Sequence, residues 1–310
     1  MQHENVYLAP HQLSSILKNE LLYLGYECLF ENERFFWTKG ICEKSHWAQS
    51  HWSHPQIFEF ESIKNASNYL RTQGKFWAYY HLGQNVRRGQ LIQEQLAYFK
   101  TKPLLFLDPL PSAPIGAWTL LSEKKLLASP VTQSVFPLGE MTFLEDHTNP
   151  PSRAYLKLWE FFTLYSPTHH PLPTEHVLDL GAAPGSWSWV LRTFGCDVTS
   201  IDRAPLELPP HPQSRHHLGN AFALKAKDLH RPLDWVFSDI ICYPEKLADV
   251  YEYWLQEGVN NFVFTFKFQG EIDVRFSHQW QKKYGGQVVH LHHNKHELTW
   301  FKLASQKEIS

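Results

Sequence analysis

The chain predicts an α/β fold. Its C-terminal half reads as a doubly wound, Rossmann-like, mostly parallel sheet closed by a terminal antiparallel hairpin, and a smaller α+β domain precedes it. Three observations carry this expectation. Strand-like and helix-like segments alternate from residue 152 onward. VLDLGAAPGSW at 177–187 reads as an apolar strand, a glycine-bounded turn and a helix start. The last two strand-like runs, QVVHLHH and ELTWFKL, have no helix between them. Strands joined by helices must run parallel, because the crossover travels back along the sheet, whereas strands joined by a short loop pair antiparallel.

A length of 310 residues suits two domains, since single cores stop growing at about 100–200 residues. The N-terminal domain is placed at 1–140 and the C-terminal one at 150–303, with the boundary in the Pro-rich, aperiodic stretch near 130–150. The formal net charge of −2 carries no global signature of nucleic-acid binding. Neither half is a basic arm: 13 basic residues face 14 acidic ones before residue 151, and 16 face 17 after it. Any RNA contact must come from local groups such as Arg87, Arg88 and Arg153, or from the Lys124/Lys125 and Lys282/Lys283 pairs. With 12 Trp, 13 Tyr and 21 Phe, rings such as Trp77 and Tyr80 are available to stack on bases. Cys28, Cys42, Cys196 and Cys242 form no CxxC pair, which argues against a zinc ribbon or a disulfide framework and fits a reducing cytoplasm. The histidine doublets lack the i, i+4 spacing of a metalloprotease, so no metal site is expected. No leader-like start or membrane-length apolar run is present.

Taken in order, VYLA at 6–9 reads as a strand. Residues 11–25 then read as a helix with Leu13, Ile16, Leu17 and Leu21 on one stripe and Gly25 as its stop. ERFFWTKG and FWAYYHL read as strands, SIKNASNYLRTQG and GQLIQEQLAYF as helices, and WTLLSEKKLLAS as a hairpin around Glu123 and Lys124. Beyond the boundary, Ser152 is the expected N-cap of a helix RAYLKLWEFFTLY whose buried stripe is Ala154, Leu158, Phe161 and Tyr165, flanked by Arg153, Lys157 and Glu160. Strands follow at VLDL, VTSID, RHHL, DWVFSDI, NFVFTFK, QVVHLHH and ELTWFKL, with helices at 186–194, 245–256 and 273–284.

The glycine turn lies at the carboxyl end of the first of these strands, where open α/β sheets bind ligands. Gly181 and Gly185 allow a backbone path and a close approach that a Cβ would block. The spacing is not GxGxxG: Ala183 stands where a second glycine would admit a pyrophosphate, and Pro184 removes an N–H where a phosphate cradle needs donors. Asp202, at the next strand end, is placed to accept from a ribose diol, and Asn220 to meet an adenine edge. These features favour S-adenosylmethionine over NAD. The expected cofactor set is Asp179, Gly181, Ala182, Ala183, Pro184, Gly185, Ser186, Trp187, Asp202, Asn220 and Asp239, with Trp187 either lining the methionine end or packing on the sheet. Lys157, Asp239, Lys267 and Glu297 fall at a helix start and at strand ends around the same cleft, and supply two amines and two carboxylates for proton handling.

In these residues the chain resembles the FtsJ-like family of ribose 2′-O-methyltransferases. SRAYLKL is similar to the family's opening helix, DLGAAPGSW to its cofactor loop, and Lys157, Asp239, Lys267 and Glu297 follow the order of its K-D-K-E tetrad. Within the family the likeness is to the RlmM type, which acts on cytidine of large-subunit rRNA and carries an N-terminal THUMP-like RNA-binding region. The resemblance implies a methyltransferase sheet, S-adenosylmethionine as cofactor and rRNA as partner. It also implies catalysis by the tetrad. The chemistry of the four side chains suggests Lys267 as general base, its pKa lowered by partial burial and by Lys157, with Asp239 steering its amine and opposing that shift and Glu297 binding the hydroxyl or Lys157. Asn220 replaces the family's usual acid. A cap- or tRNA-directed enzyme and a non-catalytic RNA-binding protein of the same fold remain as alternatives. DIICYPE after the fourth strand lacks the DPPY pattern of base-amino methyltransferases, and no cysteine stands where a C5-methylating nucleophile is needed.

Overall fold

The computed structural model describes residues 3–41, 44–99, 101–243, 246–268 and 270–304, so Cys42 lies outside the described residues. The chain divides into two compact units, Met1–Leu104 with Pro109–Thr142, and Leu105–Asp108 with Phe143–Ser310.

The first unit runs β1 (His3–Leu8), α1 (Ser14–Tyr23), β2 (Glu27–Asn32), β3 (Phe35–Gly40), β4 (Ser50–Ser53), β5 (Gln56–Glu59), α2 (Ile63–Gln73), β6 (Phe76–Tyr79), α3 (Val86–Gln93), β7 (Ile115–Ser122), β8 (Lys125–Ser129) and β9 (Val131–Thr132). Two sheets result, in orders β2-β3-β1-β4-β9 and β5-β8-β7-β6. Ser62 starts α2 by accepting the Asn65 N–H at 3.1 Å, and Gly25 leaves α1 at φ +78°. Phe60, Leu70, Trp77, Ile92 and Trp118 form the core between the four-stranded sheet and its helices. Trp77 is therefore not available for stacking on bases: it is 2% exposed, and its indole N–H points at the Leu70 and Gly74 carbonyls.

One expectation in this unit needs correction, and one strand went unread. β2 gave no periodic signal because its residues are almost all exposed, with no buried face to impose alternation. The helix expected from Gly89 onward begins at Val86 and ends at Gln93. Gly89 is an interior residue of it, because the Tyr79 ring fills the place a Cβ would take, 2.1 Å from Cζ.

The second unit runs α4 (Tyr155–Tyr165), β10 (His176–Leu180), α5 (Ser186–Thr193), β11 (Asp197–Asp202), β12 (Ser214–Leu218), β13 (Trp235–Ser238), α6 (Lys246–Gln256), β14 (Asn261–Lys267), α7 (Val274–Tyr284), β15 (Gln287–Val289) and β16 (Glu297–Lys302). They form one seven-stranded sheet in the order β12-β11-β10-β13-β14-β16-β15. The pairs among the first five strands are parallel, and β16 is antiparallel to both its neighbours. β10 and β13 are buried at every position, as a sheet covered on both faces demands of continuous apolar runs. The closing hairpin does not simply extend the sheet, since β16 inserts between β14 and β15.

Ser152 does not cap α4. The helix starts after Ala154 with no side-chain cap, and the Ser152 hydroxyl instead lies 2.8 Å from that of Ser186. Nor do Lys157 and Glu160 flank a half-buried helix: Tyr155 to Thr163 are all buried, these two included. Among the described residues, Cys28, Cys196 and Cys242 form no disulfide with one another, and no helix is long and apolar enough to cross a membrane.

Candidate active site

The cofactor turn is built by glycine geometry. Gly181 at φ +74° and Gly185 at φ +120° adopt backbone conformations that a side chain resists. A Cβ on Gly181 would lie 2.6 Å from Ile240 Cγ1, and one on Gly185 2.8 Å from the Leu208 side chain. The turn's amides are directed toward β11: Gly181 and Ala182 N–H donate to the Ile201 carbonyl at 3.0 and 3.3 Å, and Ala183 N–H to Asp202 Oδ2 at 3.2 Å. The Ala183–Pro184 peptide is cis, and Pro184 has no N–H to offer.

At the carboxyl ends of β10, β11, β13 and β14 opens a cavity of about 350 Å³. Of the residues expected from sequence, it is lined by Gly181, Ala183, Asp202, Asn220, Asp239 and Lys267. Asp202 uses Oδ1 to accept the Ala204 N–H at 3.0 Å, and Asn220 caps a short turn by accepting the Phe222 N–H at 3.2 Å. The rest of the expected set stands behind this lining. Ser186 bonds to Ser152, while Trp187 donates its indole N–H to the Ala154 carbonyl at 3.1 Å and meets Phe237 edge-on, so it packs against the sheet. Asp179 is fully buried, with the Ser188 hydroxyl donating to Oδ2 at 2.6 Å and no partner at Oδ1. Burial pushes its pKa up to about 7; the Ser188 bond opposes that rise, and the Asp239 and Asp202 charges add to it.

Beside the cavity the four candidate catalytic residues meet. Lys157 Nζ lies 3.0 Å from Asp239 Oδ1, 3.2 Å from Oδ2 and 2.7 Å from Glu297 Oε1. Lys267 Nζ lies 3.0 Å from Asp239 Oδ1 and donates to the Asp239 carbonyl at 2.5 Å. Lys267 and Glu297 are directly opposed on β14 and β16, so the inserted antiparallel strand delivers the glutamate to the site. Burial alone would lower the Lys157 pKa, but the Asp239 and Glu297 carboxylates outweigh it and hold the value above that of an ordinary lysine. Lys157 is thus a fixed ammonium, and of the two lysines only Lys267 lines the cavity.

The arginines expected to contact RNA already hold carboxylates. Arg87 faces Glu94 at 3.4 Å, Arg88 lies over the Phe60 ring with Glu123 at 3.9 Å, and Arg153 grips Glu145 through two contacts of 2.9 and 2.7 Å. Away from the cavity, His176, Asp197 and His230 come within ligating distance of one another, but the Arg215 guanidinium sits 2.7 Å from Asp197 and supplies the cation itself.

Sequence reasoning missed Arg203, Phe222, Ile240 and Ile241 in the cavity wall. Each follows a recognised strand-end residue by one or two positions, which was the signal available. It also missed Glu160, whose buried carboxylate binds the loop before β16.

The profile of the FtsJ-like methyltransferase family matches residues 150–265. The chain is 39% identical over 112 residues to the ribosomal RNA large subunit methyltransferase M of Halorhodospira halophila, covering 35% of this chain and 32% of that protein. To the protein of the same name from Xanthomonas axonopodis pv. citri it is 30% identical over 194 residues, covering 56% and 53%. The matched stretches thus span from about a third to about half of these relatives' lengths. Among solved structures, TrmN from Thermus thermophilus aligns over 98% of this chain and 100% of its own, with 11% identity and a TM-score of 0.36. With its glycine turn, its sheet order and its profile match in agreement, the segment 150–265 of this chain is an FtsJ-like methyltransferase domain.

Proposed function

We propose that the second unit transfers a methyl group from S-adenosylmethionine to a ribose 2′-hydroxyl of large-subunit ribosomal RNA, and that the first unit is a THUMP-like module contributing RNA affinity. The observation that carries the reading is the meeting of Lys157, Asp239, Lys267 and Glu297 beside a cavity that Asp202 and Asn220 also line. The substrate class is taken from the relatives' names.

The residues fit the cofactor. Three turn amides are occupied by Ile201 and Asp202 and the fourth residue is Pro184, so the turn lacks the donor cradle a pyrophosphate requires. The acid and amide at the ends of β11 and β12 suit a ribose diol and an adenine edge instead.

When bound, S-adenosylmethionine supplies an activated methyl group, which leaves the protein to position the hydroxyl and manage its proton. Lys267 donates to the Asp239 carbonyl at 2.5 Å and lies 3.0 Å from its Oδ1, which holds the amine in the cavity wall as the general base for the hydroxyl proton. Asp239 orients that amine. Lys157, held protonated by its two carboxylates, fixes an ammonium between Asp239 and Glu297.

Mapping ribose methylation across cellular RNAs with and without the gene tests the reading. Loss of one 2′-O-methyl group in large-subunit rRNA supports it. Loss only in tRNA or at a cap moves the substrate, and an unchanged map points to a non-catalytic RNA-binding protein.

A further inference from the structure

Glu160 lies one helical turn after Lys157 on α4 and is 3% exposed, with no lysine or arginine against it among the described ion pairs. Its two oxygens are fully engaged by the connection between β15 and β16. Oε1 accepts the His292 N–H at 2.6 Å, and Oε2 accepts the His293 N–H at 2.9 Å and lies 2.7 Å from His293 Nδ1. Burying a carboxylate costs several kcal/mol unless such bonds offset it, so this loop conformation is strongly specified. Four residues after His293, Glu297 opens β16 and reaches Lys157 at 2.7 Å. Helix α4 and this connection are therefore joined twice, once through the tetrad ion pair and once, a turn further along, through Glu160. The remainder of the loop is tied to its own neighbourhood, with Asn294 Nδ2 donating to Thr299 Oγ1 at 3.1 Å and His290 Nε2 lying 3.0 Å from the Lys295 carbonyl.

We propose that Glu160 is a positioning residue: it docks the 291–296 loop on α4 and so sets the Lys157–Glu297 contact of the tetrad. The inference rests on the proposed methyl transfer for its catalytic readout, but its structural readout does not. In the full chain, Glu160→Ala should lower kcat for methyl transfer by about 10- to 100-fold, the scale of loss expected from an ångström-sized misplacement. Affinity for S-adenosylmethionine should stay within about twofold, because Asp202 and Asn220 belong to other strands. Followed by side-chain carbon NMR without RNA, the Lys157 titration should fall toward that of an ordinary lysine, because Glu297 no longer holds the proton on it. His293→Ala removes one of the three contacts and should give the same signature in smaller measure. If Glu160→Ala does not fold, His293→Ala decides alone. A folded variant whose Lys157 titration and kcat match the parent overturns the proposal, as does an equal loss of kcat and cofactor affinity, the mark of a merely structural acid. A parent protein without methyl transfer would sink the proposed function, while the Lys157 titration would still decide the role of Glu160.

Discussion

Replacement of Asp179 by Asn should make the protein's stability less sensitive to pH, by an amount the site fixes. The carboxyl is fully buried at the end of β10 and titrates near 7 instead of 3.8. The folded chain therefore keeps this proton up to about pH 7, whereas the unfolded chain releases it near 3.8. Between those values the unfolded state binds fewer protons, so stability falls as pH rises. Below the window nothing is lost, and above it the full cost applies, about 4 kcal/mol at 1.36 kcal/mol per pH unit. Asparagine keeps an oxygen for the Ser188 hydroxyl and carries no charge. Its amide hydrogens, placed where Oδ1 has no partner, cost about 1–3 kcal/mol at every pH and cancel from a comparison across pH. Urea unfolding of parent and variant at about pH 5 and about pH 8 should show the stability gap moving by about 3 kcal/mol in the variant's favour. A gap constant to within about 0.5 kcal/mol would refute the account of a proton held by burial.

Lys267→Ala should abolish methyl transfer and leave calorimetric binding of S-adenosylmethionine nearly intact; wild-type turnover in this variant would remove Lys267 from the mechanism. Lys157→Met takes the lysine from Glu297 and leaves Asp239 with Lys267 alone, beside a side-chain position only 10% exposed, and should cost about 3 kcal/mol in urea unfolding, part of it recovered by adding Glu297→Gln. Gly181→Val should lose cofactor binding in calorimetry, because its Cβ would meet Ile240 at 2.6 Å on a backbone at φ +74°.

The second unit was legible because its signals are local. Short runs rich in apolar, β-branched and aromatic residues such as VLDL and FVFTF read as strands of a covered sheet, and Lys157, Asp239, Lys267 and Glu297 stand at element ends, where a periodic pattern stops. What escaped was tertiary. That β16 slips between β14 and β15 is decided by sheet packing, which no spacing records. Glu160 read as a flanking surface acid because its partners lie more than 130 residues away. Trp77 shows the opposite error: aromatic abundance suggested ring contacts with a ligand, yet this indole is spent on the core and on two carbonyls at the end of α2.

The place of β16 also orders the site in time. By residue 267 a growing chain has laid down all five parallel strands, the glycine turn and three of the four tetrad residues. Glu297 arrives thirty residues later, on a strand that must be threaded beside β14 with β15 outside it. Until that strand is in place, β14 lacks its antiparallel partner and Lys157 faces Asp239 without a second carboxylate. A polypeptide cut short of β16 would lack the last member of the charge set together with the buried Leu298, Trp300 and Phe301, so chain completion itself becomes the final step of assembling the tetrad.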